Sequence, residues 1–152
     1  MEDKRILIDA DACPRPVLAI AERLASEKNW MLITYASFNH QLTGANHVVV
    51  DAEPEAVDMR IANEVRANDI VITQDIGLAA LILGKRAHAL NPFGRIYRME
   101  TIAFQLEERN EKARYRRGGG RTRGPAARTQ ADDAEFAHSL QLLMREQDSP
   151  TT

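Results

Sequence analysis

The stretch that decides the fold reads Arg5-Ile6-Leu7-Ile8-Asp9-Ala10-Asp11-Ala12-Cys13-Pro14. Its run of three apolar residues is typical of a parallel strand that helices cover on both faces. Pro14 fits the first turn of a helix, so Asp9 and Asp11 stand where a buried strand passes into a helix. Two carboxylates about 5 Å apart repel by roughly 3 kcal/mol at an effective dielectric near 20. This place therefore needs a cation, a proton or strong hydrogen bonds.

The same alternation of strand and helix continues along the chain. Apolar or β-branched runs predict further strands, and apolar residues at intervals of three and four predict the helices between them. The strands are expected at 5–9, 30–35, 47–50, 70–73 and 87–90, and the helices from Pro14, from Pro54, over 76–83, over about 101–109 and from Asp132 or Asp133. Regular alternation of this kind indicates parallel strands with right-handed crossovers. The sequence therefore predicts a three-layer α/β/α fold with a central, mainly parallel five-stranded sheet.

Composition fits one domain with an appended basic segment. The 152 residues are 44% hydrophobic and 28% charged, which is enough to bury a single core. We expect an α/β domain over 1–110, a basic flexible loop over 111–131, a C-terminal helix over 132–147 that packs on the same domain, and a disordered tail over 148–152.

Two classes of protein are disfavoured. The chain has neither a charged and then apolar leader nor an apolar run near 18 residues, so a cytoplasmic location is expected, with no contact with a membrane. The single cysteine, Cys13, excludes an intrachain disulfide and a cysteine-based zinc site, and it is interpreted as a packing residue.

The overall charge of −2 hides a strong asymmetry. Seven basic residues and no acidic ones lie between Lys112 and Arg128, whereas the remaining chain has 13 basic residues against 22 acidic ones. A segment with charge of one sign and several glycines favours contact with nucleic acid, and RNA in particular, although a solubilising linker is the alternative. The predicted phosphate contacts in this segment are Arg116, Arg117, Arg121 and Arg123.

Acidic residues at strand ends predict a metal site. Ligands of parallel sheets bind beyond the carboxyl ends of the strands, where Asp9, Asp11 and Asp75 stand, and Asp58 in an early helical turn can complete the group. Hard oxygen ligands favour Mg²⁺ or Mn²⁺. The alternative is that Asp11 caps a helix, Asp9 accepts backbone hydrogen bonds, and Asp58 interacts favourably with the dipole of its own helix.

Three further polar residues lie near the same edge. The hydroxyl of Thr73 can orient a phosphate, and Arg95 can clamp one beside Asn91. The alternatives are that Thr73 is an ordinary strand residue and that Asn91 and Arg95 only frame a turn.

Several motifs carry a resemblance to a known family. They are the run 8–14, the helix start at Val57-Asp58, the run 71–79, the run 90–97 and the C-terminal helix. Together they resemble the bacterial YaiI/YqxD family of uncharacterised proteins, which is similar to PIN-like domains. Most PIN-like proteins are metal-dependent ribonucleases with an acidic cluster at the strand ends. The resemblance implies that this cluster consists of Asp9, Asp11, Asp58 and Asp75.

The leading hypothesis is a metal-dependent nuclease that acts on RNA or single-stranded nucleic acid. Asp9 and Asp75 would bind the catalytic Mg²⁺ or Mn²⁺, while Asp11 and Asp58 would hold a second ion or orient water. One alternative is a phosphatase of the haloacid dehalogenase type, with Asp9 as the nucleophile. The other is an RNA-binding module without catalysis.

Overall fold

The computed structural model describes residues 4–37, 46–50, 55–120 and 127–148. These ranges contain five strands and five α-helices, which mostly alternate, although the third strand follows the second and the fifth helix follows the fourth. Their order is β1 (Arg5–Asp9), a 3₁₀ turn (Ala10–Ala12), α1 (Arg15–Lys28), β2 (Met31–Ser37), β3 (His47–Val50), α2 (Ala56–Glu64), β4 (Ile70–Ile72), α3 (Ile76–Gly84), β5 (His88–Leu90), α4 (Met99–Arg117) and α5 (Gln130–Asp148). The strands form one sheet in which every neighbouring pair is parallel.

The sheet order is β3-β2-β1-β4-β5, so β1 is the central strand. Ile6 is aligned with Leu32 of β2 on one side and with Ile70 of β4 on the other. Along the chain, β2 and then β3 are added on one side of β1, and β4 and then β5 are added on the other side. The strand order therefore reverses between β1 and β4, which is where parallel sheets bind their ligands.

Alternate residues of each central strand face two separate cores. Ile6 and Ile8 point with α1 and α5 into one core, and Leu7 points with α2, α3 and part of α4 into the other. All five residues of β1 are buried, as expected for a strand covered on both faces. The predicted three-layer α/β/α fold is confirmed.

The last helix, α5, lies against α1 and covers the first of these cores. Phe136, Leu140, Leu143 and Met144 are its buried apolar residues. The Ser139 hydroxyl donates a 2.6 Å hydrogen bond to the carbonyl of Gly94 in the turn after β5. Gly94 has φ +90°, and a Cβ there would lie 2.7 Å from the Glu135 backbone, so the turn needs glycine for both reasons.

Helix α4 is longer than the sequence pattern predicts. It was expected to end near Arg109 and continues to Arg117, so the first part of the predicted basic loop is helical. The reason is that glutamate, lysine, arginine and alanine are strong helix formers, and basic side chains in the last turn favour the helix dipole. Within this part, Arg114 pairs with Glu107 at 3.5 Å. The predicted phosphate contacts Arg121 and Arg123, and residues 149–152 of the predicted tail, lie outside the described residues.

A buried ion pair holds the amino-terminal end of the sheet. Arg5 Nε and Nη2 donate to the two carboxylate oxygens of Asp69 at 3.1 and 2.5 Å. The same Nη2 donates to the Glu64 carbonyl at 3.0 Å, and the Arg66 N–H donates to Asp69 at 2.8 Å. The side chains of Arg5 and Asp69 are 7% and 4% exposed. The pair therefore connects β1 to the loop that leads into β4.

We expect Arg5→Met to lower the free energy of unfolding by about 3–5 kcal/mol, because it leaves the buried Asp69 carboxylate without a charged partner. Urea denaturation followed by circular dichroism measures the change. The control is Arg60→Gln, which breaks the exposed Arg60–Glu64 pair of α2 and should leave the midpoint nearly unchanged. An Arg5→Met protein as stable as the wild type would contradict this role of the ion pair.

Candidate active site at the carboxyl ends of β1 and β4

Asp9 is the last residue of β1 and is 7% exposed. The Thr73 hydroxyl donates to Asp9 Oδ2 at 3.1 Å and accepts from the backbone N–H of Asp75 at 3.0 Å. Thr73 itself is buried, and its carbonyl accepts a hydrogen bond from the Tyr97 hydroxyl. The Thr73 side chain therefore positions Asp9 relative to Asp75, whereas the sequence predicted that it orients a phosphate.

The environment of Asp9 disfavours its charge. Burial raises the pKa of Asp9 to about 6, and the charges of Asp11 and Asp75 act in the same direction. The hydrogen bond from Thr73 opposes this rise but does not cancel it. Asp9 therefore changes its protonation state nearer to neutral pH than an ordinary aspartate does.

Asp58 and Asp75 form a carboxyl pair. Asp58 lies in the first turn of α2, and Asp75 is the N-cap of α3. Burial raises the pKa of Asp58 to about 7, and a hydrogen bond with the Asp75 side chain adds to the rise. The charge of Asp9 also contributes to it. These two helices thus bring two carboxyl groups together, and their proximity disfavours the ionisation of Asp58.

Asp75 is the ionised member of the pair. Burial alone raises the pKa of Asp75, but the hydrogen bond from Asp58 and the backbone N–H groups of Leu78 and Gly77 bring it below its ordinary value. The Leu78 N–H lies 3.1 Å from Asp75 Oδ1. Arg109 of α4, with Nη1 at 3.8 Å from the same oxygen, acts in the same direction. The N-terminus of α3 and one arginine therefore stabilise this negative charge.

Asp11 is placed differently from the other three predicted ligands. It is exposed, and its carboxylate accepts from the backbone N–H of Ser37 at 2.9 and 3.2 Å. This contact joins the 3₁₀ turn to the end of β2. Asp11 still raises the pKa of Asp9 through its charge. The structure gives it a structural partner at the edge of the site.

The carboxyl groups do not form a ready-made metal cage. Within the described ranges, no group of three or more His, Cys, Asp or Glu side chains is arranged to hold a metal ion. Mg²⁺ commonly keeps several waters, however, and binds proteins through one or two carboxylates. The carboxyl oxygen atoms of Asp58 and Asp75 are of the donor type that an ion of this kind takes.

Two cavities of opposite character meet at Arg109. One, of about 580 Å³, contains the acidic residues Glu55, Asp58 and Asp75 together with apolar side chains of α2 and α3. The other, of about 320 Å³, lies along α4 and is lined by Ile76, Arg95, Gln105, Glu108, Arg109, Lys112 and Arg116. Arg109 lines both. Sequence reasoning missed Arg109 and Gln105, because neither residue stands at a strand end or in the predicted loop.

The predicted phosphate contacts Asn91, Arg95, Arg116 and Arg117 have three different placements. Asn91 Oδ1 accepts from the backbone N–H groups of Phe93 and Arg95, both at 2.9 Å, so its side chain shapes the turn after β5. Arg95 is exposed and lines the basic cavity, as does Arg116. Arg117 is exposed at the end of α4 and does not line it.

Cys13 is a packing residue near this edge, as interpreted from the sequence. It packs against the core beneath α1, and burial raises the pKa of its thiol to about 12, with a further contribution from the charge of Asp9. The thiolate form is therefore absent at neutral pH, which argues against a nucleophile or a metal ligand.

Comparison with known proteins supports one family. The model of the family described as "Uncharacterized BCR, YaiI/YqxD family" matches residues 7–146. A UPF0178 protein of Heliobacterium modesticaldum is 46% identical over 142 residues, which is 93% of this chain and 97% of that protein. UPF0178 proteins of Clostridium tetani and Exiguobacterium sibiricum are 44% and 38% identical, and the matches cover 92% and 93% of this chain and 96% and 97% of theirs. No solved structure shows a significant match. In the part of the chain that the structure describes, no helix is long and apolar enough to cross a membrane.

Asp9→Asn should become more stable relative to the wild type as the pH rises. The pKa of Asp9 in the folded protein, about 6, lies above its ordinary value of 3.8. The protonated carboxyl therefore makes its full contribution to the stability of the fold below about pH 4. That contribution is lost as the pH rises through about 6. Asparagine keeps the acceptor for Thr73 and does not ionise. We expect the difference in unfolding free energy between variant and wild type to grow by about 1–3 kcal/mol from pH 4 to pH 8.

Urea denaturation at each pH measures this difference. Glu22→Gln, on the exposed side of α1, serves as the control for the loss of one negative charge. A difference that stays constant from pH 4 to pH 8 would show that the folded protein does not disfavour the Asp9 charge.

Proposed function

The chain belongs to the YaiI/YqxD family, and we propose that it is a metal-dependent nuclease that hydrolyses phosphodiester bonds in RNA or single-stranded nucleic acid. The observation that carries the proposal is the Asp58–Asp75 pair, which lines one cavity and lies close enough to the buried Asp9 for their charges to interact. Strongly perturbed carboxyl groups that face a cavity are typical of functional sites. The PIN-like resemblance of the sequence points to the same reaction class.

The pair supplies the ligands for a divalent ion. Asp58 and Asp75 would hold Mg²⁺ or Mn²⁺ through their carboxylate oxygens, with Asp9 beside them. A bound ion of this kind supplies a Lewis acid that lowers the pKa of water and stabilises charge on a phosphoryl group. Without an ion, ionisation of Asp58 is disfavoured, because two adjacent carboxylates repel one another and Asp58 is partly withdrawn from water.

Asp9 is suited to take up a proton. A general base works best when its pKa lies near the working pH, and that of Asp9 is raised to about 6. The hydrogen bond from Thr73 fixes the orientation of this carboxylate at the end of β1. In the proposed reaction, Asp9 accepts the proton of the attacking water, and Thr73, which also accepts from the backbone N–H of Asp75, holds the Asp9 carboxylate in place.

The basic residues beside the pair hold the substrate. Arg95, Arg109, Lys112 and Arg116 line a cavity that adjoins the acidic one. Cations at this position offset the repulsion between the carboxylates and a polyanion. The proposed location is the cytoplasm, where RNA and Mg²⁺ are both present.

The phosphatase alternative has less support from the geometry. It requires Asp9 to attack a phosphate directly and Asp11 to act as the acid. Asp11 already accepts from the backbone N–H of Ser37, so its carboxylate is held at the end of β2. A phospho-aspartate trapped at Asp9 would reverse this ranking.

Asp58→Asn and Asp75→Asn should each lower the rate of Mn²⁺-dependent RNA cleavage by at least about 100-fold, because each removes one carboxylate of the pair. Both substitutions keep the size of the side chain, and asparagine can still cap α3. Cleavage of a fluorescent single-stranded RNA measures the rate. Asp11→Asn is the matched comparison and should change the rate only a few-fold, since asparagine can still accept from Ser37.

The results of these assays distinguish the nuclease from the RNA-binding module. Cleavage that survives both substitutions and removal of divalent ions by chelation contradicts the proposal. Tight binding of RNA that is recovered intact after incubation with Mn²⁺ favours the RNA-binding module over the nuclease.

Ion binding can be measured without activity. Saturating Mn²⁺ at pH 8 should raise the melting temperature of the wild type by roughly 5–10 °C, because an ion that binds only the folded state stabilises it. Differential scanning calorimetry measures the shift. Asp58→Asn should lose most of it, and Glu22→Gln should retain it. At pH 5 the shift should shrink, since the ion must then compete with the proton on Asp58. Equal shifts in the wild type and Asp58→Asn would exclude the pair as the ion site.

A further inference from the structure

The basic cavity along α4 has a chemistry that suits a phosphate group. Its charged lining consists of four cations, Arg95, Arg109, Lys112 and Arg116, against one acid, Glu108. Its volume of about 320 Å³ is small, and Arg109 joins it to the cavity that contains Asp58 and Asp75. Guanidinium groups bind phosphate oxygens through paired N–H donors. A phosphate bound here would lie next to the site of the proposed cleavage.

One lining residue, Gln105, offers a hydrogen-bond acceptor instead of a positive charge. Gln105 is 7% exposed, and its side-chain oxygen Oε1 is buried without a hydrogen-bond partner in the described part of the chain. Leaving a buried acceptor unmatched is unfavourable, so a ligand that brings a donor is favoured at this place. Gln105 is also one of the residues that line the cavity, so its side-chain amide lies beside any ligand bound there.

We propose that this cavity binds one phosphate of the substrate together with the adjacent ribose 2′-hydroxyl, and that Gln105 makes the protein selective for RNA. The arginines and Lys112 bind the phosphate, which RNA and DNA have in common. The Gln105 oxygen accepts from the 2′-hydroxyl, the group by which proteins distinguish RNA from DNA. The substrate class in this proposal rests on the proposed function, and the placement of the two ligand groups rests on the cavity itself.

The test measures binding and not cleavage. Three single-stranded hexamers of uridine are compared in the presence of EDTA: the ribose form, the deoxyribose form and the 2′-fluoro form, which lacks the hydroxyl donor. We expect the wild type to bind the ribose hexamer about tenfold more tightly than the other two, which is the contribution of roughly one hydrogen bond. Equal affinity of the wild type for the ribose and 2′-fluoro hexamers would overturn the proposal.

Three variants separate the roles of the residues. Gln105→Met keeps the side-chain volume and should abolish the preference for ribose without weakening the binding of the deoxyribose hexamer. Arg116→Gln should weaken all three hexamers alike and reduce the salt dependence of binding by about one unit of slope. Arg23→Gln, on the exposed side of α1 and outside the lining, should change each affinity less than twofold.

The outcome of this binding test does not depend on whether the protein is a nuclease. A Gln105→Met protein that folds and keeps the preference for ribose contradicts the proposal, and circular dichroism shows whether it folds. If that variant does not fold, the affinities of the wild type for the ribose and 2′-fluoro hexamers still test the proposal. Since EDTA removes the divalent ions, a protein that cleaves nothing can pass this test, and an active nuclease can fail it.

Discussion

The structure depends on the parallel pairing of β1 with both β2 and β4. Because helices cover both faces of this central strand, charged groups can stand only at its two ends. At the amino-terminal end, Arg5 and Asp69 satisfy one another in a bidentate buried pair. At the carboxyl end, Asp9, Asp58 and Asp75 have no matching buried cation among the described residues, and burial with mutual repulsion raises the pKa values of Asp9 and Asp58. The Arg5–Asp69 pair stabilises the fold, whereas the carboxyl groups at the other end of β1 retain negative charge that a ligand can neutralise.

Most of the secondary structure followed from the sequence because the central strands carry consecutive apolar residues, which a parallel sheet requires. Pattern reasoning failed where the structure does not depend on an apolar stripe. The second half of α4 buries almost nothing, and its stability comes from helix-forming residues and from charge interactions such as Arg114–Glu107. A search for hydrophobic periodicity therefore ended this helix too early. The chain continues as a helix to Arg117.

The candidate site was predictable to the extent that it follows strand ends. Asp9 and Asp75 were found in this way, whereas Asp58 rested on its helical position and on the family resemblance. The link through Thr73 joins residues 64 positions apart, as does the Arg5–Asp69 pair. Contacts at this separation depend on how β1 and β4 align in the sheet, which no local pattern reveals. The same reason applies to Arg109 and Gln105, whose importance arises only from the cavities that they line.

Arg109 connects the two halves of the proposed enzyme. Its charge helps to keep Asp75 ionised, and its guanidinium also lines the basic cavity. A phosphate bound in that cavity competes with Asp75 for the same guanidinium, so substrate alone makes the negative charge on Asp75 less favourable. In the proposed function, a divalent ion held by Asp58 and Asp75 would offset this effect, because it would neutralise Asp75 and leave Arg109 to the phosphate. Ion and substrate would then favour the binding of each other, and this coupling would be reciprocal. The acidic pair and the basic helix would thus act as one site with two partners of opposite charge.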